Sequence, residues 1–459
     1  MTLIIVLLLL LSYVLIGTSH LTGVNKAAIA MFLAAVGWVV YISWGTDFVM
    51  RLHAGGYAEF LSETGEVEST GRTVKNYIYD AIFLKYVGKA AAIVMYLLAT
   101  MSIIEILNNN GCFDFISEWI RTRNPNRLLW SITLAAFILS ANLDNVTTTI
   151  VMLVIMHQIV KSRRQRMLIG SAVVLAATCG GCFTVIGDPT GLLLWGNDAV
   201  TATQFSAYLA LPALTAWVVP TALIGRQLPR RLDIEWVVAP YRGDDTRLNR
   251  WQRAMMLFVG IGGLWFVPTF LSITRLPAFL GALCVLSVLW VVNEAFNRKL
   301  MNADQMSQRR IPRVIQYSAI QQMLFVMGVM LGMGAAVETG MLGAVADWID
   351  MNIGNLWIVG VVSGLLSSVV DSFMVAVTNI ALYDVWNAGD YAQNGAYWKV
   401  IAYCTAVGGC LLSVGCASGL VLMQMEHIHL GWYFRNITGK VLFGWLLGLA
   451  VLWLEIYFV

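Results

Sequence analysis

The sequence predicts an all-α polytopic membrane protein: two inverted repeats with about ten transmembrane helices, two re-entrant helical hairpins and two broken helices. Hydrophobic residues make up 59% of the 459 residues and charged residues only 12%, whereas an ordinary soluble domain has about 25% charged residues. A soluble core cannot bury so much apolar surface, but a bilayer accepts it, since about 20 apolar residues in a helix span the hydrocarbon. The composition therefore argues against a soluble enzyme.

Ten apolar stretches have the character of membrane spans. They cover residues 2–17, 24–45, 88–107, 168–195, 204–225, 251–272, 276–296, 316–337, 399–424 and 437–458. The first stretch is preceded by no basic residue and followed by no convincing small-residue cleavage site. It is therefore interpreted as the first span, with the N terminus outside, and not as a signal peptide.

Two further apolar blocks have the wrong length for simple spans. Residues 128–160 are too many for one span and too few for two, and residues 355–383 form a similar block. Basic residues concentrate on the cytoplasmic side, and they flank both ends of the first block: Arg121, Arg123, Arg127, Lys161, Arg163, Arg164 and Arg166. The first block is thus predicted as a hairpin that enters from the cytoplasm. The second has acidic flanks and no nearby Lys or Arg, so it is predicted to enter from outside.

Charge also assigns the connecting segments. Residues 227–250 are rich in arginine and are expected to be a cytoplasmic linker between a first repeat, residues 1–226, and a second repeat, residues 251–459. Residues 46–87 have an acidic centre and are expected to form a loop on the outside.

The two halves carry the same pattern at a nearly constant spacing. The segment TCGGCFTVIGDPTGLLL at 178–194 aligns without a gap with AVGGCLLSVGCASGLVL at 406–422, and the hairpins align with Asp144 opposite Asp371. Because the hairpins are predicted to enter from opposite faces, the repeats are inverted. Transporters of this architecture form their substrate site near the midplane, from discontinuous helices of both halves. The pattern therefore indicates a secondary transporter.

Three carboxylates fall in the predicted breaks: Asp144, Asp188 and Asp371. An ionisable residue at membrane depth is costly and is a functional hypothesis by default. Neither hairpin contains a lysine or arginine that could neutralise these acids, so a transported cation or a proton is expected to do so. The alternative is a structural role as a helix cap or in a buried pair.

Hydroxyl and amide groups surround these acids, and such oxygen ligands suit hard cations. The candidates are Ser140, Asn142, Asn145, Thr147, Thr148, Thr149, Thr184 and Thr190 in the first half, and Ser372, Thr378, Asn379, Ser413 and Ser418 in the second. A serine or threonine in a membrane helix can instead simply bond its own backbone. Each residue is thus a candidate ligand only.

The run SANLDNVTTTIVM followed by GGCFTVIGDPTG resembles the NhaD-type sodium/proton antiporters of the ion transporter superfamily. The hairpin-plus-GG layout is also similar to the divalent anion/sodium symporters and arsenite permeases of that superfamily. The first resemblance implies exchange of Na⁺ or Li⁺ for H⁺ by an elevator-like motion in a homodimer. The expected location is a bacterial inner membrane, with no cofactor besides the transported ions and no nucleic-acid partner.

The resemblance also implies roles for particular residues. The family positions correspond to Ser140, Asp144 and Asn145 in the first hairpin, Asp188 and Thr190 in the first broken helix, Ser367 and Asp371 in the second hairpin, and Cys410 and Ser413 in the second broken helix. The sequence departs from the family pattern at Ser372, Pro189, Gly191 and Cys410. These departures bear on how the cation is coordinated.

Two other functions are alternatives to cation exchange. An anion carrier for dicarboxylate, sulfate or arsenite uses the same scaffold, but its hairpin tips resemble Ser-Asn-Thr runs without acids that would repel an anion. A membrane-embedded enzyme or a scaffold protein is the other possibility, and the sequence shows no nucleophile–base pair, HExxH motif or nucleotide loop for it. The aspartates favour exchange, in which a cation and a proton compete for the same carboxylates.

Overall fold

The computed structural model describes residues 2–64, 70–113, 115–116, 120, 122, 124–229, 248–297 and 313–458. These residues form helices joined by short turns, and their only strand-like pairing is an isolated bridge between Trp386 and Ala392. Among them, eight helices are long and apolar enough to cross a membrane: Lys26–Ser43, Gly71–Asn109, Arg163–Phe183, Ala202–Gly225, Arg250–Thr274, Ala278–Phe296, Ile320–Val337 and Leu430–Phe458. The predicted all-α polytopic membrane fold is confirmed.

Each predicted hairpin is a pair of helices separated by a short break. The first hairpin consists of Pro125–Ser140 and Asn145–Ile159, and the second consists of Leu356–Val369 and Ser372–Leu382. These bounds lie close to the predicted blocks. The face of the membrane from which each hairpin enters stays a prediction.

Both glycine-rich spans are interrupted, as the sequence predicts. The first broken helix runs over Arg163–Phe183 and resumes at Pro189–Gly196. The second runs over Ala396–Gly408 and resumes at Ala417–Glu426. Non-helical backbone at membrane depth is tolerated only inside protein or beside a cavity, so both breaks are places where main-chain polar groups need partners other than lipid.

The same close contact joins hairpin and broken helix in both halves. A Cβ atom on Gly187 would lie less than 3.0 Å from the carbonyl oxygen of Ser140, and a Cβ atom on Gly415 would lie as close to that of Ser367. The two glycines are aligned in the sequence, and so are the two serines. The two repeats therefore share this packing contact as well as the sequence motif. Whether the repeats are inverted across a membrane stays a prediction.

The two halves are also packed into one another. Helix Arg163–Phe183 contacts both pieces of the second broken helix, and Ala202–Gly225 packs along the C-terminal helix Gly439–Phe458. At one end, Arg163 Nη2 donates to the carbonyl oxygen of His427 at 2.8 Å. This hydrogen bond joins the start of the first broken helix to the end of the second.

The prediction of a loop over residues 46–87 is wrong. Helices Gly45–Leu52 and Ala54–Thr64 occupy its first part, and the next long helix already begins at Gly71. These short helices bury one face each, through Phe48 and Val49 in the first and Tyr57 in the second. Charged residues on their other faces hid this amphipathic pattern.

Some predicted features lie outside the described residues. They include most of the basic linker 227–250, Arg121 and Arg123 beside the first hairpin, and Glu66 and Glu68 of the acidic centre of 46–87. They also include Arg298, Lys299, Arg309 and Arg310, which the charge pattern predicts on the cytoplasmic side.

Candidate functional site

Each of the three predicted aspartates caps the helix that begins after a break. Asp144 Oδ2 accepts from the Thr147 amide at 3.0 Å, and Asp188 Oδ2 accepts from the Thr190 amide at 2.9 Å. Asp371 Oδ1 likewise accepts from the amide of the second residue after it, at 3.0 Å. A helix N terminus leaves backbone N–H groups free, and no water is present in the hydrocarbon to bind them. The structural role as a cap therefore applies to all three.

The cap leaves one oxygen of each carboxylate for another partner. Asp188 Oδ1 accepts from the side-chain amide of Asn145 at 2.7 Å, which ties the first broken helix to the tip of the first hairpin. Asp144 Oδ1 accepts from Gln322 Nε2 at 3.3 Å, and Gln322 belongs to helix Arg313–Val337. Both partners are neutral. Among the described residues, no Lys, Arg or His side chain forms an ion pair with Asp144 or Asp188.

Asp371 differs, because its second oxygen faces a lysine. Lys26 Nζ lies 3.3 Å from Asp371 Oδ2 and also donates to the carbonyl oxygens of Val370 at 3.2 Å and Val414 at 3.1 Å. The expectation that only a transported cation or a proton neutralises all three acids is therefore wrong for Asp371. Neither predicted hairpin contains a lysine or arginine, whereas Lys26 is 345 positions away along the chain from Asp371.

The three carboxylates are buried close to one another, but they do not form a single metal cluster. Their exposed fractions are 3%, 6% and 6% for Asp144, Asp188 and Asp371, so bulk water does not solvate them. Helix Pro189–Gly196, which Asp188 caps, contacts helix Ser372–Leu382, which Asp371 caps. Nevertheless, within the described residues no group of three His, Cys, Asp or Glu side chains is arranged to hold one metal ion. The predicted site divides into Asp144 with Asp188, and Asp371 with Lys26.

Several predicted oxygen ligands near the first pair have no hydrogen-bond partner in the described structure. Ser140 Oγ, Thr148 Oγ1 and Thr190 Oγ1 are buried and unpaired, and so is Oε1 of Gln322. A buried polar atom without a partner costs about 1–3 kcal/mol. The oxygen ligands of a cation site are expected to lack hydrogen-bond partners, because the cation is the partner that they bind. Thr147 Oγ1 instead contacts Asp144 Oδ2 at 3.2 Å.

The corresponding groups of the second half are mostly paired. Ser367 Oγ donates to the carbonyl oxygen of Thr405 at 2.6 Å, and Ser413 Oγ lies 3.1 Å from the sulfur of Met423. Ser418 Oγ, the counterpart of Thr190, is buried and unpaired. Most of the unpaired oxygens therefore belong to the hairpin and broken helix that carry Asp144 and Asp188, or to Gln322, which binds Asp144.

Other predicted ligands have structural partners. Asn379 is bound by Ser363 and Tyr397 at 3.2 Å and 3.0 Å, and it lies eight residues beyond Asp371, or about 12 Å along the helix. The backbone amide of Ser372 donates to a carbonyl oxygen of the second broken helix, that of Gly415, at 3.0 Å. The remaining pairs are Asn142 with Trp265, Thr149 with the Asn145 carbonyl, Thr184 with the Ala141 carbonyl, and Thr378 with Tyr13.

Four helix N termini border the site. They are the N termini of the second helix of each hairpin and of the second piece of each broken helix. Three have an aspartate cap, and the fourth has Cys416, whose sulfur accepts from the Gly419 amide at 3.3 Å. A free helix N terminus attracts anions. The aspartate caps reverse that preference at three of the four ends, so the arrangement favours cations and protons over free anions.

Sequence reasoning missed Lys26 and Gln322. A signal existed for both residues. Lys26 is the only Lys or Arg in the first fifty residues, and Gln322 is one of two consecutive glutamines within an otherwise apolar span. What the sequence did not contain was the pairing of these helices with the hairpins.

Comparisons with known proteins agree with a transporter. The model of a family described as "citrate transporter" (CitMHS) matches residues 4–408. Sodium/proton antiporter 1 of Arabidopsis thaliana is 31% identical over 372 residues, covering 79% of this chain and 62% of the relative, so the chain spans less than two thirds of that protein. Sodium/proton antiporter 2 of the same plant is 29% identical over 96% of both chains. The Na⁺/H⁺ antiporter NhaD of Vibrio cholerae is 25% identical over 79% of this chain and 77% of the relative.

Proposed function

Because the chain belongs to the citrate transporter family and resembles proteins named as Na⁺/H⁺ antiporters, we propose that it exchanges Na⁺ or Li⁺ for H⁺ across its membrane. The proposal includes alternating access, a homodimer and a bacterial inner membrane. The family description and the membrane-spanning helices support a multi-pass transporter rather than an enzyme.

The observation that carries this proposal is the hydrogen bond that links the buried Asp188 to Asn145, the residue next to the buried Asp144. The side chain of Asn145 holds Asp188 at 2.7 Å. The transported cation binds between these carboxylates, with Asn145, Ser140, Thr147 and Thr190 as further ligands.

Exchange follows from competition at these carboxylates. Burial disfavours an ionised carboxylate, so an empty site binds protons more readily than the same group in water. A cation that enters restores the charge balance and displaces protons, and protonation on the other side releases the cation. Higher pH therefore lowers the Na⁺ concentration needed for half-maximal exchange.

Citrate transport is the second candidate, since the matching family model carries that description. The four helix N termini around the site would suit an anion. The caps Asp144, Asp188 and Asp371 argue against it, because each places a carboxylate where the anion would bind.

The test is dye-reported ΔpH in everted vesicles on addition of NaCl, LiCl or KCl. We expect dequenching by Na⁺ or Li⁺, and its loss in Asp144→Asn and Asp188→Asn. The matched control is Asp347→Asn, which changes an exposed aspartate outside the site and should leave exchange unchanged. Uptake of labelled citrate without any cation response would replace exchange by anion transport.

A further inference from the structure

The Lys26 ammonium occupies a position built like a cation site. Its three oxygen neighbours are the carbonyls of Val370 and Val414 and the carboxylate of Asp371, at 3.1–3.3 Å. Both carbonyls lie in breaks between helices, so neither accepts a hydrogen bond within a regular helix. Backbone carbonyls and carboxylates are the ligands of hard cations. The side chains of Lys26 and Asp371 are only 12% and 8% exposed, so the pair is nearly closed to solvent.

Among the residues that the structure describes, no such ammonium lies at the equivalent place in the first half. The internal alignment puts Leu143, Asp144 and Ile186 at the positions of Val370, Asp371 and Val414. Yet Asp144 is bound by the neutral groups of Thr147 and Gln322, and no described cationic side chain pairs with it. The two halves therefore present the same acid at the same break, with a tethered cation in the second half only.

We propose that Lys26 is a resident cation that fills the second-half cation site, so that each chain carries one transported cation and not two. This inference rests on the proposed cation exchange, because it assigns the transported ion to the first half alone. Lys26 then sets the number of ions per cycle. Asp371 serves to hold Lys26 and to cap its helix, and it does not bind the transported ion.

The inference predicts what happens when the ammonium is removed. Lys26→Met keeps an unbranched apolar stem, which can pack where the lysine stem packs. It leaves Asp371 buried without a counter-charge, and an unpaired buried charge is strongly unfavourable. The three oxygens are then free for a sodium ion, which restores the charge.

The experiment is equilibrium binding of radioactive Na⁺ to the purified full-length protein. We expect one bound ion per chain in the wild type, two in Lys26→Met, and one again in Lys26→Met/Asp371→Asn. Lys26→Arg keeps the positive charge and should bind one ion. Lys89→Met removes an exposed lysine that contacts Asn197, and this control should also bind one.

Asp371→Asn alone gives a second measurement in case Lys26→Met does not fold. The inference expects this variant to bind one Na⁺, as the wild type does. Loss of Na⁺ binding in folded Asp371→Asn would overturn it, and so would two ions in the wild type or a single ion in folded Lys26→Met. If the wild type binds no Na⁺ at all, the proposed function fails, and the assignment of Lys26 fails with it.

Discussion

Asn145 donates a 2.7 Å hydrogen bond from its side chain to Asp188, and so the tip of the first hairpin holds the carboxylate that caps the first broken helix. The two elements are separated in sequence by the rest of the hairpin and by a long helix. Their junction brings Asp188 to Asn145, the residue that directly follows Asp144. This arrangement gives the proposed cation site its shape, and it leads to the first prediction.

Replacing Asn145 by leucine removes the amide and keeps most of the side-chain volume. A hydrogen bond to a charged group contributes about 1.5–3 kcal/mol, so half-maximal exchange should need roughly 10- to 100-fold more Na⁺. The measurement is the Na⁺ dependence of ΔpH in vesicles. Asn126→Leu makes the same change at the exposed start of the hairpin and should leave this dependence as in the wild type. An unchanged Na⁺ dependence in Asn145→Leu would remove the amide from the site.

Sodium should stabilise the folded protein. A ligand that binds only the native state at about 100 times its Kd adds about 2.7 kcal/mol to the free energy of unfolding. Thermal unfolding in detergent should therefore shift upward in NaCl relative to KCl at equal ionic strength. Asp144→Asn should abolish the difference between the two salts. An equal shift in both salts would indicate a general salt effect and no Na⁺ site.

The close contacts at Gly187 and Gly415 should respond alike to an added methyl group. Each alanine variant forces the broken helix away from a serine carbonyl of the hairpin, and overpacking of this kind costs about 1–3 kcal/mol. Thermal unfolding is the measurement. Gly196→Ala and Gly431→Ala are the controls, because a Cβ atom there would meet nothing within 4 Å. If Gly187→Ala and Gly415→Ala were as stable as these controls, the close contacts between the glycines and the serine carbonyls would not exist in solution.

A buried ion pair between Arg166 of the first half and Glu426 of the second links the two halves. Glu426 is 2% exposed, and it binds Arg166 Nε at 3.0 Å and His157 Nε2 at 2.6 Å. Arg166→Met should destabilise the protein by about 3–5 kcal/mol, since it removes one partner of a buried pair. Arg166→Met/Glu426→Met should recover much of that loss. A double variant that loses the sum of both single effects would show that the pair is not coupled.

Most of the membrane fold could be predicted because apolar length and basic flanks are local signals. The breaks beside Asp144 and Asp371 were predicted from the repeated motif for the same reason. Helices Gly45–Leu52 and Met341–Asn352 were not predicted. They are too short and too charged to be read as spans, and they are helical because tertiary packing covers one face, which hydropathy along the chain does not record.

The candidate site was predicted in part. Asp144, Asn145 and Asp188 do lie together, because their motif positions reflect one local arrangement of hairpin and break. The contact of Lys26 with Asp371 joins residues 345 positions apart. No pattern within either repeat encodes it, so it required the packed structure.

The aspartate caps have an evolutionary consequence. Serine, threonine or asparagine can also cap a helix, and Cys416 does so here at the position that corresponds to Asp188. A single substitution at a cap can thus change the charge of the site while the helix and its packing persist. The charge of the site and the packing of the scaffold can therefore vary independently of each other.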